Sequence, residues 1–146
     1  MIKISQVFAA KRAEVVTELQ NLISETLVPE FNAELEDIRR GYAESYDFAV
    51  TQPDIARNKL LVLADNRRKA RKFDLQLRRQ QFIDSLHTRL VGESLAVAEE
   101  HNGVISEEVE ERNGKMRAVK KVAFPDGSRA KIPSGIFVDY SLFQRL

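Results

Sequence analysis

The sequence contains no cysteine and only two histidines, His87 and His101. The first absence removes disulfides, thiolate metal sites and cysteine nucleophiles together, and fits a reducing compartment. The second leaves little for imidazole chemistry. Asp84 and His87 make a single D-x-x-H pair on one helical face, whereas a carboxylate-bridged two-metal bundle needs that pair twice plus further carboxylates. Glu30, Glu34 and Asp37 share a face, but no histidine or carbonyl-rich loop joins them, so a solvated face accounts for all three. There is no Gly-rich phosphate loop, no H-E-x-x-H and no G-x-S-x-G. Pro53-Asp54 and Pro125-Asp126 match half of a nuclease motif, yet no acid-x-Lys follows in a suitable strand. The sequence thus offers no catalytic residue, no metal, no cofactor and no small-molecule substrate, and points away from an enzyme.

Long hydrophobic runs are missing too. No apolar core of signal-peptide length precedes the first charges, and no run approaches the roughly 18 apolar residues of a membrane span. The expectation is a cytoplasmic protein, or a virion component if the chain is viral, without a membrane partner. The format, a short cysteine-free chain with long helices and a charged β tail, is one seen among virus-encoded accessory and assembly proteins.

What is present is enough to fold. The 146 residues are 43% hydrophobic and 31% charged, which suits one ordinary domain or a helical part with a β appendage. A net charge of +1 hides a strong polarity along the chain. From Glu14 to Asp47 nine acids stand against Arg39 and Arg40; from Arg57 to Arg79 nine bases stand against Asp65 and Asp74. Charges on neighbouring helices lie within a Debye length of about 8 Å, so the two segments can attract each other within a chain or between chains.

Periodicity predicts the elements. Ser5 is a plausible N-cap, and Phe8, Val15, Val16, Leu19, Leu22, Ile23 and Leu27 fall in an arc of about 140° on a helical wheel. Phe31, Leu35 and Ile38 lie about 100° further round, so a kink or restart is expected at Pro29, and Arg39-Arg40-Gly41 reads as a helix stop. After a connector, Thr51-Gln52-Pro53-Asp54 opens a helix that Asn102-Gly103 would end. The expected helices are therefore about 5–28, 29–40 and 53–101. The last is long enough to suggest a helical hairpin or a coiled-coil-like partner.

Within that long helix the bases Arg67, Arg68, Arg71, Lys72, Arg78 and Arg79 occupy one arc, with Ala70, Phe73 and Leu77 opposite as the expected buried stripe. From Phe82 onward the apolar residues Phe82, Ile83, Leu86, Leu90 and Val97 take over the sector the bases held. The buried face is expected to switch sides there, either by a break or by packing a second neighbour, most simply another subunit. These five residues are the expected oligomer interface. The six bases are the expected nucleic-acid contact, since guanidinium forks match phosphate oxygens. No aromatic interleaves them, which argues against a single-strand stacking platform.

From Val104 the period becomes that of strands. Asn113-Gly114 signals a type I′ hairpin, and pairing outward from it sets Glu110 opposite Arg117, Glu107 opposite Lys120, Val109 opposite Ala118 and Ile105 opposite Val122. Pro125-Asp126-Gly127 makes a second turn into a third strand at Ala130–Ile132, and Ile136-Phe137-Val138 a fourth. The apolar tail, Tyr140 to Leu146, is expected to dock on the helices or on a partner. The fold class is α+β, mainly α, with a helical region over 1–102 and an antiparallel β meander over 103–146. The expected function is a non-enzymatic, self-associating structural or interaction protein, a viral assembly or accessory protein among the candidates. The alternative is a nucleic-acid-binding regulatory protein using the basic helix face. An acidic protein partner would also fit that face.

Overall fold

The computed structural model describes every residue, Met1–Leu146. Helix α1 (Ile4–Leu22) runs through a π-helical turn (Ile23–Leu27) into α2 (Val28–Ala49); α3 (Asp54–Glu100) follows, then strands β1 (Val104–Arg112), β2 (Lys115–Ala123) and β3 (Arg129–Lys131) and a 3₁₀ turn (Tyr140–Leu142). The chain is mainly α with a C-terminal antiparallel sheet of order β1-β2-β3, as the periodicity requires.

Pro29 does not stop the helix. Apolar residues recur every four positions from Val15 through Leu19, Ile23, Leu27 and Phe31 to Leu35, and all six are buried. In a regular α-helix each such step drifts by about 40°, because four residues exceed one turn of 3.6. A π turn is wider and takes some of that drift back, and it sits where Pro29 cannot donate to the carbonyl four residues earlier. Gly41 then stays helical, and α2 continues to Ala49.

The chain forms two compact units, Met1–Leu22 with Ile83–Val138, and Ile23–Phe82 with Asp139–Leu146. The division runs through the helices rather than at Asn102-Gly103, because the sheet has no core of its own. In the first unit Phe8 of α1 and Ala98 of α3 pack with Val122, Phe124 and Ile132, and the rings of Phe8 and Phe124 lie 5.9 Å apart. In the second unit Phe31, Leu35 and Ile38 of α2, Ala64 and Leu75 of α3 and Phe143 of the tail are buried.

Asn102-Gly103 ends α3 with a Schellman pattern. Asn102 takes φ 57°, its N–H donates to Glu99 O at 3.0 Å, and the Gly103 N–H donates to Ala98 O at 2.8 Å. The hairpin register matches the one expected, Glu110 with Arg117 and Ile105 with Val122 among its pairs, and Asn113 and Gly114 both have positive φ. The third strand lies one residue earlier than expected. Ile136–Val138 is not a strand; instead the Ile136 N–H donates to His87 Nδ1 at 2.8 Å, which ties that segment to α3.

Ser5 is not the cap of α1. The open N–H groups of the first turn are met from the far end of the sequence: Ile4 N–H donates to Asp126 Oδ2 at 2.7 Å and Ser5 N–H to Ser128 Oγ at 3.0 Å. Ser128 in turn donates to Asp126 through its N–H at 2.9 Å and through its hydroxyl at 2.5 Å. Bonds from Ser128, then from Ile4, hold the Asp126 carboxyl below the usual aspartate range. The folded state therefore prefers the carboxylate more than the unfolded chain does. The stabilisation is complete above the ordinary aspartate pKa and is lost as pH falls through the lowered one. Replacing Asp126 with Asn is expected to lower the urea midpoint at neutral pH and to shrink the drop on acidification, as followed by circular dichroism. An unchanged acid profile would show that this cap contributes nothing.

Candidate interaction surfaces

The six expected phosphate-binding bases lie on the second unit's stretch of α3, and most of them meet the chain itself. Arg68 stacks 3.8 Å above the Tyr42 ring. Arg79 faces three rings, Phe31 at 4.6 Å, Phe143 at 4.9 Å and Tyr140 at 5.3 Å, while Phe31 and Phe143 meet edge-on at 5.1 Å. Lys72 Nζ donates to the Leu146 carbonyl at 2.7 Å. Arg78 pairs with Asp74 at 2.9 Å and also with Glu34 of the acidic segment, and those carboxylates, Glu34 first, hold its guanidinium more firmly charged. Asp65 accepts from Lys69 at 2.9 Å and also from Arg68, and the two cations lower its pKa. Arg67 and Arg71 stay exposed beside a small cleft that Gly41 and Tyr42 help to line.

The expected switch of buried face does not occur. On the stretch of α3 in the second unit, burial recurs at Leu61, Ala64, Arg68, Lys72, Leu75 and Arg79; in the first unit it recurs at Ile83, Leu86, Leu90, Ser94 and Ala98. The spacings of three and four residues keep these positions in one broad helical sector. Arg68, Lys72 and Arg79 thus occupy inward positions, where rings and a backbone carbonyl satisfy them, and aliphatic residues succeed them further along. Cation–π contact makes this arrangement tolerable, since a guanidinium is weakly hydrated and stacks on an aromatic face.

Two consequences follow for the expected interfaces. Ile83, Leu86 and Leu90 are buried within a single chain, with Phe82 and Val97 half-buried, so this run needs no second subunit to cover it. Conversely, Phe73 and Leu77, expected to be buried, are 69% and 45% exposed, and Ala70 is exposed with them. Ile55, Val62 and Leu63 extend that row, all more than half exposed. On the wheel Ile55, Val62, Ala70, Phe73 and Leu77 cluster opposite the inward bases, and the row is about 33 Å long at 1.5 Å per residue. The signal for it was present in the sequence, but its sidedness was not: the row was visible as a stripe, and only the rings of Phe31, Tyr42 and Phe143 decide which side faces inward.

No helix is long and apolar enough to cross a membrane. No protein-family model matches the chain, and no curated protein or solved structure matches it either.

Proposed function

We propose that this chain is a non-enzymatic, self-associating structural protein, and that copies meet through the outer row of α3, Ile55, Val62, Ala70, Phe73 and Leu77. The observation that carries this reading is the exposure of that row on a helix whose opposite side is already satisfied. Large apolar side chains exposed along one helix face, interrupted by Lys59 and Asn66, suit a contact site. A second copy supplies a matching row by symmetry, because a two-fold interface brings the same patch together from both partners. Asn66 lies in the middle of the row, and across a two-fold axis it would meet its own counterpart.

The lack of cysteine makes the test direct. Asn66→Cys introduces the chain's sole thiol, and under mild oxidation it is expected to form a disulfide-linked dimer. A control thiol at exposed Glu36, on α2, is expected to stay monomeric. Equal cross-linking at both positions would sink the proposed geometry.

The nucleic-acid reading keeps support from Arg67 and Arg71, which are exposed and, unlike exposed Arg78, form no ion pair within the chain. Two arginines neutralise few phosphates, so any such contact is expected to be weak and to fall with a shallow salt slope.

A further inference from the structure

Strand β2 is nine residues long but β3 only three, and β3 pairs with no residue of β2 before Lys121. The pairing extends one bond further, from the Ile132 N–H to the Lys120 carbonyl at 2.9 Å. After Ile132 and Pro133 the chain departs toward α3, where Ile136 is held by His87. The rest of that edge of β2 is left without a partner strand. In an antiparallel ladder the backbone groups of alternate residues point to opposite sides. Since Lys120 faces β3, Ala118 and Met116 present their N–H and C=O groups to the same open edge.

A cavity of about 320 Å³ lies along that edge. Val91, Val119, Ile132 and Pro133 give it apolar walls, and Arg117 and Lys120 stand exposed beside it. β2 as a whole is strongly basic, with Lys115, Arg117, Lys120 and Lys121, and its other edge is already occupied by the acidic strand β1, which carries Glu107, Glu108, Glu110 and Glu111. The hairpin therefore shows on one edge the kind of strand that β2 accepts.

We infer that the open edge of β2 is a docking site for an extended, acidic segment of a partner protein, which adds as a strand beyond β1-β2 in the place a longer β3 would have taken. Main-chain bonds to Ala118 and Met116 supply the affinity, an apolar side chain of the segment enters the cavity, and the carboxylates that alternate with it on the other face meet Arg117. A nucleic acid offers no strand of amides to this edge.

The test uses the whole chain and a fluorescein-labelled octapeptide of alternating valine and glutamate, read by fluorescence anisotropy. Saturable binding that weakens with salt is expected, and the same peptide with lysine for glutamate is expected not to bind. Ala118→Pro removes one outward N–H without touching the β1 ladder and is expected to weaken binding by about tenfold or more, with the hairpin amide resonances retained. Arg117→Glu, a change at an exposed side chain, is expected to weaken it by about tenfold and decides the matter if Ala118→Pro fails to fold. The inference is overturned if the wild type does not bind the acidic peptide, if the lysine peptide binds as well, or if Arg117→Glu or a folded Ala118→Pro keeps full affinity. Displacement of the peptide by an oligothymidylate would equally overturn it in favour of that other occupant.

Discussion

Leu90→Asp is expected to unfold the unit formed by Met1–Leu22 and Ile83–Val138. Leu90 is 1% exposed within a single chain, and Ile83 and Leu86 beside it on α3 are 1% and 5% exposed. An aspartate there would have to ionise without water or a partner, or stay protonated at a cost. An uncompensated buried charge costs about 3–5 kcal/mol, a large share of the roughly 5–15 kcal/mol that holds a domain together. Urea titration followed by circular dichroism should show an early transition or none. A variant that instead stays folded and only loses mass in solution would place Leu90 in a subunit interface.

Gly103→Ala is expected to be the costliest single-methyl change in the chain. A Cβ at that position would lie 2.3 Å from Val122 Cγ2, 3.0 Å from the Ala98 carbonyl oxygen and 3.1 Å from the Phe124 ring. Val122 is fully buried and β-branched, so it cannot swing aside, and the Ala98 oxygen is fixed by its bond from the Gly103 N–H. Overpacking of this kind costs about 1–3 kcal/mol. Gly92→Ala is the matched control: no atom lies within 4 Å of its Cβ, and replacing a mid-helix glycine stabilises by up to about 1 kcal/mol. The two alanines are therefore expected to move the urea midpoint in opposite directions. A shift of the same sign in both would contradict the close approach of β2 to the end of α3.

Local chemistry made the hairpin legible in the sequence. Asn113-Gly114 fixes the turn, and a two-residue turn leaves one register, in which Glu107 stands opposite Lys120 and Glu110 opposite Arg117, although the ion pairs form from Glu108 to Lys121 and Arg129 and from Glu110 to Lys131. The stop at Asn102-Gly103 was legible for the same reason. What could not be read was every feature decided by residues far apart in the chain. The cap of α1 comes from Asp126 and Ser128, more than a hundred positions away, so Ser5 looked sufficient. Pro29 looked like a break because a π turn has no sequence signature beyond the four-residue spacing it accommodates. Arg68 and Arg79 looked like a solvent-facing basic surface because charge is normally outside; the rings that admit them inward belong to α2 and the tail. Reversing the sidedness of that one stretch turned the expected buried stripe into the proposed contact surface, and left the expected interface residues Ile83, Leu86 and Leu90 in a core.

The proposal that copies meet through the outer row of α3 is tested most directly by sedimentation equilibrium on the wild type and on the double variant Phe73→Glu, Leu77→Glu. Both side chains are exposed, so the variant is expected to keep its circular dichroism spectrum and its urea midpoint. The wild type is expected to show a mass that rises with concentration above that of one 16.7 kDa chain, and the variant to remain at the single-chain mass throughout. A wild type that stays at the single-chain mass at high micromolar concentration, or a folded variant that associates as strongly as the wild type, would contradict it.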